Sequence, residues 1–275
     1  YEIIVEQKLD IQKVIVASSQ FVQGEGKYRC SNCQAKHTPL MRMEKDLIKR
    51  SWEHRCPNCE TPLSWEWTDE NHIAPPNAYA LSKHSQEQQA IAFGERYGIP
   101  SVALRYSIVQ GARQSFYNAY SGACRIFCLN YYFAKAPTLY EDGGQFRDFV
   151  NIHDVVDANV LALTNSNMNG NVFNVGSGKA YTIKQFADIV RDEVQHHHLQ
   201  PLPEAIIPAA YRFGDTRNAC SDISKLKSMG WSPKYSPIDS VREYVDWLYA
   251  QDNVEDILEY AEQTMKKLDV VRNSA

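Results

Sequence analysis

Apolar and β-branched residues cluster in a short stretch near the start of the chain. Residues 11–17 read Ile-Gln-Lys-Val-Ile-Val-Ala and are followed at once by two serines, Ser18 and Ser19. A short apolar run of this kind is typical of a strand buried in a parallel sheet. Ligands of open α/β sheets bind at the carboxyl ends of the strands. The two serines therefore stand either in an ordinary turn or at the edge of a binding site.

The rest of the chain alternates between helix-like and strand-like segments. A helix is predicted from about residue 78, through Tyr79 and Lys83, to Gly98, where a glycine ends it. Strands are predicted at 99–106, 137–140 and 171–176, a hairpin-type turn at 141–144, and helices around 125–129, at 155–165, at 183–194 (with Thr182 as its N-cap) and within 237–267. This alternation indicates an α/β fold.

Composition and charge exclude some classes of function. The formal net charge is -4 and the isoelectric point is about 6.1, which gives no support for binding nucleic acid or an anionic membrane surface. No apolar run approaches the roughly 20 residues that span a bilayer. Residues 1–8 lack the pattern of a signal peptide and read as the later part of a helix. Because the seven cysteines are odd in number, we expect a cytoplasmic protein without a disulfide framework.

Four of the cysteines form two Cys-x-x-Cys pairs. Cys30 and Cys33 make the first, and Cys56 and Cys59 make the second. This spacing is that of a zinc ribbon, in which four thiolates complete a tetrahedral structural site. A redox pair, or reduced cysteines without a metal, are the alternatives. We therefore expect a structural zinc within a ribbon-like insert, and we expect the basic stretch between the pairs, including Arg42, to face solvent.

Tyr79 and Lys83 stand four residues apart and so lie on one face of the predicted helix, one turn from each other. An ammonium beside a phenol favours the phenolate and would lower the tyrosine pKa from its reference value of about 10. Such a pair suits a general acid/base that acts on a hydroxyl or a carbonyl. In a chain with 16 tyrosines, however, the spacing on its own favours an ordinary helical pair.

Several motifs occur together along the chain. They are Val14-Ile-Val-Ala-Ser-Ser19, Tyr79-x-x-x-Lys83, Leu104-Arg-Tyr106, Arg147-Asp-Phe-Val150, Phe173-Asn-Val-Gly-Ser-Gly178, Arg212-x-Gly-Asp215 and Leu226-x-x-x-Gly-Trp231. In this order they resemble the extended short-chain dehydrogenase/reductase family, the NAD-dependent nucleotide-sugar epimerases and dehydratases. The resemblance implies a Rossmann-like doubly wound parallel sheet, a smaller C-terminal α/β substrate-binding region and a homodimer.

The resemblance also implies roles for single residues. Ser19 would hold the sugar hydroxyl, Tyr79 would be the acid/base, and Lys83 would lower the pKa of the tyrosine and contact the nicotinamide ribose. The family's epimerases move a hydride from C4 of the sugar to NAD and return it to the other face. Further cofactor contacts are implied for Ala17, Ser18, Tyr106 and Ser107, and substrate contacts for Asn118, Arg147, Arg212 and Asp215, the two arginines holding the diphosphate.

Features in and around the insert resemble one subgroup of this family in particular. They are Gly24–Cys30, the Cys-Pro-x-Cys that begins at Cys56, Gln86–Gln88, and Gln114 with Asn118. These look like the dTDP-L-rhamnose 4-epimerases, which interconvert dTDP-L-rhamnose and dTDP-6-deoxy-L-talose. Other nucleotide-sugar epimerases or reductases of the family are the alternative. Dehydration is disfavoured, because the Thr-Asp-Glu of the 4,6-dehydratases is replaced by Ser19-Gln-Phe21.

The largest departure from the family pattern concerns the glycine-rich first βα turn that cradles the cofactor pyrophosphate. The chain has no such motif, so we expect roughly half of the cofactor domain to be missing. Residues 1–27 and 67–130 then correspond to a partial cofactor and catalytic domain, 28–66 to the zinc-ribbon insert, and 131–275 mainly to the substrate-binding region, with segments that return to the sheet. A catalytically inactive, zinc-stabilised fragment that binds sugar nucleotides is the competing interpretation.

Overall fold

Strands and helices alternate along the computed structural model, which describes residues 1–115 and 122–275. The strands are β1 (Val14–Ser19), β2 (Lys27–Cys30), β3 (Lys36–His37), β4 (Leu63–Glu66), β5 (Ser101–Tyr106), β6 (Ile108–Gln110), β7 (Phe146–Asn151), β8 (Asn171–Val175), β9 (Ala180–Thr182), β10 (Ala210–Arg212) and β11 (Val271–Asn273). The helices are α1 (Glu2–Glu6), α2 (Glu44–Leu47), α3 (Ala78–Tyr97), α4 (Ala123–Tyr132), α5 (Ile152–Thr164), α6 (Ile183–Gln195), α7 (Ser224–Ser228), α8 (Pro237–Tyr249) and α9 (Leu258–Lys267).

A three-stranded parallel sheet in the order β1-β5-β8 forms the centre of the fold. Val14 pairs with Ser101, and Val102 pairs with Asn171, so the three carboxyl ends meet at one edge. The middle strand β5 is buried on both faces, as its run of apolar residues requires. Within the described residues, β1 pairs with a strand on one side only. This arrangement confirms the expected α/β fold with a parallel sheet.

Local signals in the sequence explain where the two best-predicted helices begin and end. The Asn77 side chain caps α3 by accepting a hydrogen bond from the Ala80 amide at 2.9 Å, and Gly98 ends the helix with a φ of +67°. Thr182 and Gln185 form a reciprocal capping box at the start of α6, which confirms the predicted N-cap.

The predictions of a strand at 137–140 and a hairpin-type turn at 141–144 were wrong. Thr138 makes a single bridge to Ile206 instead of lying in a strand. The turn at 141–144 does not join a hairpin, because β7, which follows it, pairs in parallel with β6 and antiparallel with β9. The partners of these residues are distant in sequence, and local pattern does not reveal them.

The larger apolar core lies between α4, α6, α8 and β7. Phe149 and Phe186 stack there with ring centroids 3.9 Å apart, and Val241, Tyr244 and Leu248 of α8 are fully buried or nearly so. Among the helices that the structure describes, none combines the length and apolar character needed to cross a membrane.

Strands β3, β2 and β4 form a separate antiparallel sheet. Cys30 ends β2, and Cys33, Cys56 and Cys59 lie in the turns beside the sheet. The segment between the two cysteine pairs does not face solvent throughout, as we expected. The Arg42 side chain is only 4% exposed, and Leu47 and Trp52 are buried against Tyr211 of β10. The expectation was wrong for Arg42, because its bidentate partner Glu141 lies 99 residues further along the chain. The other basic residues of the stretch are exposed, as expected: Lys45, Lys49 and Arg50.

Candidate functional site

The carboxyl end of β1 carries the serine that the sequence assigns to the substrate. Ser19 is 8% exposed, and its Oγ accepts a hydrogen bond from the Phe21 amide at 3.2 Å. This bond starts the short 3-10 helix Gln20–Gln23. A hydroxyl that accepts one bond can still donate its own proton, which is what holding a sugar hydroxyl or a ketone requires.

Tyr79 and Lys83 reach the same edge of the sheet from α3. Because Asn77 caps the helix, Tyr79 lies in the first turn, where 53% of it is exposed. Its ring meets the Phe21 ring edge-on, with centroids 6.3 Å apart. The Lys83 Nζ donates to the carbonyl oxygen of Ala17 at 3.0 Å. The structure thus gathers the predicted residues Ala17, Ser19, Tyr79 and Lys83 around the end of β1.

Glu87 holds α3 against the sheet, a role that was not predicted from the sequence. It is fully buried one turn beyond Lys83. Both of its carboxylate oxygens accept from the Arg105 guanidinium at 2.8 Å, and the Ser18 hydroxyl also donates to it. Glu87 therefore ties α3 to both β1 and β5. The i, i+4, i+8 spacing of Tyr79, Lys83 and Glu87 is the signal that could have identified it.

Tyr106 and Ser107 lie at the carboxyl end of β5, where their hydroxyls have protein partners. The Tyr106 hydroxyl donates to Asn159 at 2.9 Å, and the Ser107 hydroxyl donates to Asp148 at 3.2 Å. Asp148 is fully buried, and this burial raises its pKa to about 6 even though Ser177 also donates to it. In this structure, the described contacts of Tyr106 and Ser107 are with the fold itself.

Arg147, Arg212 and Asp215 meet at one loop, residues 212–217, which we call the substrate loop because these three residues are predicted to contact the substrate. Arg147 donates to the carbonyl oxygens of Thr216 at 2.7 Å and of Arg217 at 3.0 Å. Arg212 pairs with Asp215 across 3.7 Å. Asn118, the remaining residue predicted to bind the substrate, lies outside the described residues. The two predicted diphosphate arginines therefore flank a single backbone segment.

The four cysteine sulfurs form a compact cluster in the insert. All lie within 4.8 Å of one another, with Cys30 to Cys59 at 3.4 Å and Cys33 to Cys56 at 3.5 Å. Zinc–sulfur bonds of about 2.3 Å in a tetrahedron place the sulfurs roughly 3.8 Å apart. None of the four is in a disulfide. The cluster therefore has the donor set and the dimensions of a closed structural zinc site.

Comparisons with known proteins find similar sequences and folds. A model of the NAD dependent epimerase/dehydratase family matches residues 56–176. The dTDP-L-rhamnose 4-epimerase of Burkholderia thailandensis is 30% identical over 246 residues, which are 89% of this chain and 65% of that protein. These matches relate the chain to the NAD dependent epimerase/dehydratase family.

Other epimerases have similar sequences or structures. A putative UDP-glucose 4-epimerase of Methanocaldococcus jannaschii is 34% identical over 66% of this chain and 56% of its own length. The solved UDP-N-acetylglucosamine 4-epimerase of Methanobrevibacter ruminantium is 27% identical, with a TM-score of 0.66 over 90% of this chain and 66% of that one. The chain thus spans less than two thirds of the two relatives matched by sequence.

Proposed function

We propose that this protein is an NAD-dependent nucleotide-sugar 4-epimerase. The observation that carries the proposal is the placement of three groups around the carboxyl end of β1: Ser19 ends the strand, the Tyr79 ring contacts Phe21 just beyond it, and Lys83 donates to the Ala17 carbonyl oxygen of the strand. A hydroxyl, a phenol and an ammonium at one edge of a parallel sheet suit proton transfer to and from a sugar hydroxyl. The relatives named as 4-epimerases support the same chemistry.

Ser19, Tyr79 and Lys83 would each have a different role in the reaction. Ser19 would hold the hydroxyl at C4, and Tyr79 would take its proton and return it at the end of the cycle. Lys83 would stabilise the phenolate. NAD, when bound, would supply the reversible hydride transfer at C4. The described residues that would contact NAD are those predicted to lie near its nicotinamide. They are Ala17 and Lys83, which are at least partly accessible, and Ser18, Tyr106 and Ser107 at the carboxyl ends of β1 and β5.

Arg147 and Arg212 would hold the diphosphate of the substrate, with Asp215 and Asn118 beside them. We propose a dTDP-sugar of the rhamnose type, because the match to the Burkholderia thailandensis enzyme extends over 89% of the chain. UDP-sugars are the second candidate, supported by the named substrates of the other relatives. A homodimer, a cytoplasmic location and the assignment of 28–66 as an insert between parts of the catalytic domain belong to the same proposal.

Turnover of a substrate panel tests the proposal. The chain is incubated with NAD and, separately, with dTDP-L-rhamnose, UDP-glucose and UDP-N-acetylglucosamine, and the products are separated by chromatography. We expect the C4 epimer of at least one sugar, with dTDP-L-rhamnose turned over fastest. Binding of the nucleotides without any epimer would favour an inactive sugar-nucleotide-binding protein, and binding of none would contradict both functions.

We further propose that the cysteine cluster holds zinc. Structural zinc contributes directly to folding free energy. We expect one zinc per chain by elemental analysis and a lower melting temperature after chelation. Cys33→Ser should lose the metal, whereas Cys220→Ser, which changes a buried cysteine outside the cluster, should retain it. Equal metal content in the two variants would contradict the assignment.

A further inference from the structure

The substrate loop is held by two arginines from different parts of the fold. Arg147 of β7 binds the carbonyl oxygens of Thr216 and Arg217. Arg42 of the insert donates from Nη2 to the preceding carbonyl oxygen, that of Asp215, at 2.8 Å. Three successive carbonyls thus accept from guanidinium groups, and the first of them depends on the insert.

Arg42 is itself fixed by a bidentate ion pair. Its two Nη atoms donate to the carboxylate oxygens of Glu141 at 2.8 and 2.7 Å, and the two side chains are 4% and 1% exposed. The Arg217 side chain also donates to Glu141, at 3.0 Å, and the Arg217 amide donates to Glu25 at 2.8 Å. A planar guanidinium group that donates two hydrogen bonds to one carboxylate has little freedom to move. The insert is therefore joined to the loop by a buried, directional cluster of charges.

Apolar contacts place the same part of the insert against the strand that leads into the loop. Leu47 and Trp52 pack on Tyr211 of β10, with the Trp52 and Tyr211 ring centroids 6.3 Å apart. The Tyr211 hydroxyl lies 3.3 Å from the Glu44 carboxylate of α2. Residues 42–54 of the insert thus contact the chain both immediately before and shortly after Arg212.

The presence of this buried cluster of charges between the insert and the loop is not explained by stability. Burying paired charges rarely stabilises a fold more than apolar residues of the same volume would, and such pairs serve best to select one arrangement. We propose that residues 42–54 position the substrate loop, with Arg42 as the positioning residue, so that Arg212 meets the diphosphate of the substrate. This inference rests on the proposed function, because it takes from there the role of Arg212.

Nucleotide affinity of the whole chain, measured by isothermal titration calorimetry, tests the inference. The probes are dTDP and UDP, each compared with its monophosphate. We expect Arg42→Met to weaken diphosphate binding about tenfold while changing monophosphate binding much less, since only the diphosphate reaches the arginines. Arg42→Lys should restore part of the loss. Lys36→Met, which removes an exposed positive charge of the same insert outside residues 42–54, should bind as the unaltered chain does.

Folding of the variants is checked by circular dichroism, because Arg42→Met leaves Glu141 with fewer partners. If that variant does not fold, Arg42→Lys and the double variant Arg42→Met/Glu141→Gln, which removes both charges, replace it. Folded variants that bind diphosphate as the unaltered chain does, or that lose mono- and diphosphate equally, would overturn the positioning role. Failure of the unaltered chain to bind any of the four nucleotides would instead contradict the proposed function.

Discussion

The two sides of the candidate site are built in opposite ways. At the catalytic edge, Tyr79 is half exposed, and Lys83 makes its described hydrogen bond to a backbone carbonyl. On the other side, the substrate loop is held by Arg42 and Arg147, with Glu141 buried behind it. At the catalytic edge, Tyr79 and Lys83 are accessible to solvent beside the buried Ser19, whereas the charged groups of the loop side already have partners within the chain.

This difference indicates how the two sides depend on other components. Exposed side chains contribute little to stability and are available to a cofactor or substrate. Buried charges, in contrast, have to be paired within the fold, because an unpaired charge in a low-dielectric interior is costly. Substitutions at the catalytic edge should therefore change chemistry without changing stability, and substitutions behind the loop should do both.

The largest effect is expected at the catalytic edge. Tyr79→Phe removes the proposed acid/base, and we expect the turnover rate to fall by about 10²–10⁴-fold. The free energy of unfolding should change by less than about 0.5 kcal/mol, because the ring stays and the hydroxyl is on an exposed residue. Steady-state kinetics and urea denaturation measure the two quantities. Tyr97→Phe, at the other end of the same helix, should leave the turnover rate unchanged. An equal fall in turnover rate in both variants would contradict the assignment of Tyr79 as the acid/base.

The second effect concerns the buried side. Glu141→Gln leaves the guanidinium groups of Arg42 and Arg217 short of one buried negative charge, and we expect it to destabilise the fold by about 3–5 kcal/mol. Asp142→Asn is the matched control, because Asp142 pairs with the same Arg217 but is 45% exposed at its side chain, so its loss should cost less than about 1 kcal/mol. Urea denaturation measures both. Similar costs would show that burial does not distinguish these pairs.

A smaller effect, also on the buried side, depends on pH. Burial raises the pKa of Asp148 to about 6, above the reference value for aspartate of about 3.9. The folded state therefore binds this proton more tightly, and the associated stability is complete below about pH 4 and is lost as the pH rises through 6. We expect this loss to reach about 3 kcal/mol by pH 7.

Denaturant unfolding at pH 4, 5, 6 and 7 tests the effect of Asp148. Asp148→Asn should remove this part of the pH dependence, whereas Asp192→Asn, at a side chain that is 75% exposed, should not. An unchanged pH profile in Asp148→Asn would place the ionisable group elsewhere.

The sequence predicted those parts of the site that local pattern determines. The strand ending in Ser19, the helix from Asn77 to Gly98 and the capping role of Thr182 all follow from signals within a few residues. The burial of Arg42 did not, because its partners Glu141 and Asp215 are 99 and 173 residues away. A basic residue in a polar stretch looks, from the local sequence, like one that faces solvent. Only the tertiary structure places the Glu141 carboxylate next to Arg42.

The central claim is that the sugar is oxidised and reduced again at C4. Epimerisation of dTDP-L-rhamnose carrying deuterium at C4, in the presence of NAD, tests this most directly. Because the hydride leaves for the cofactor and returns to the same carbon, we predict that the dTDP-6-deoxy-L-talose formed keeps its deuterium, as read by mass spectrometry and proton NMR. Epimer that has exchanged the label with water would contradict the account.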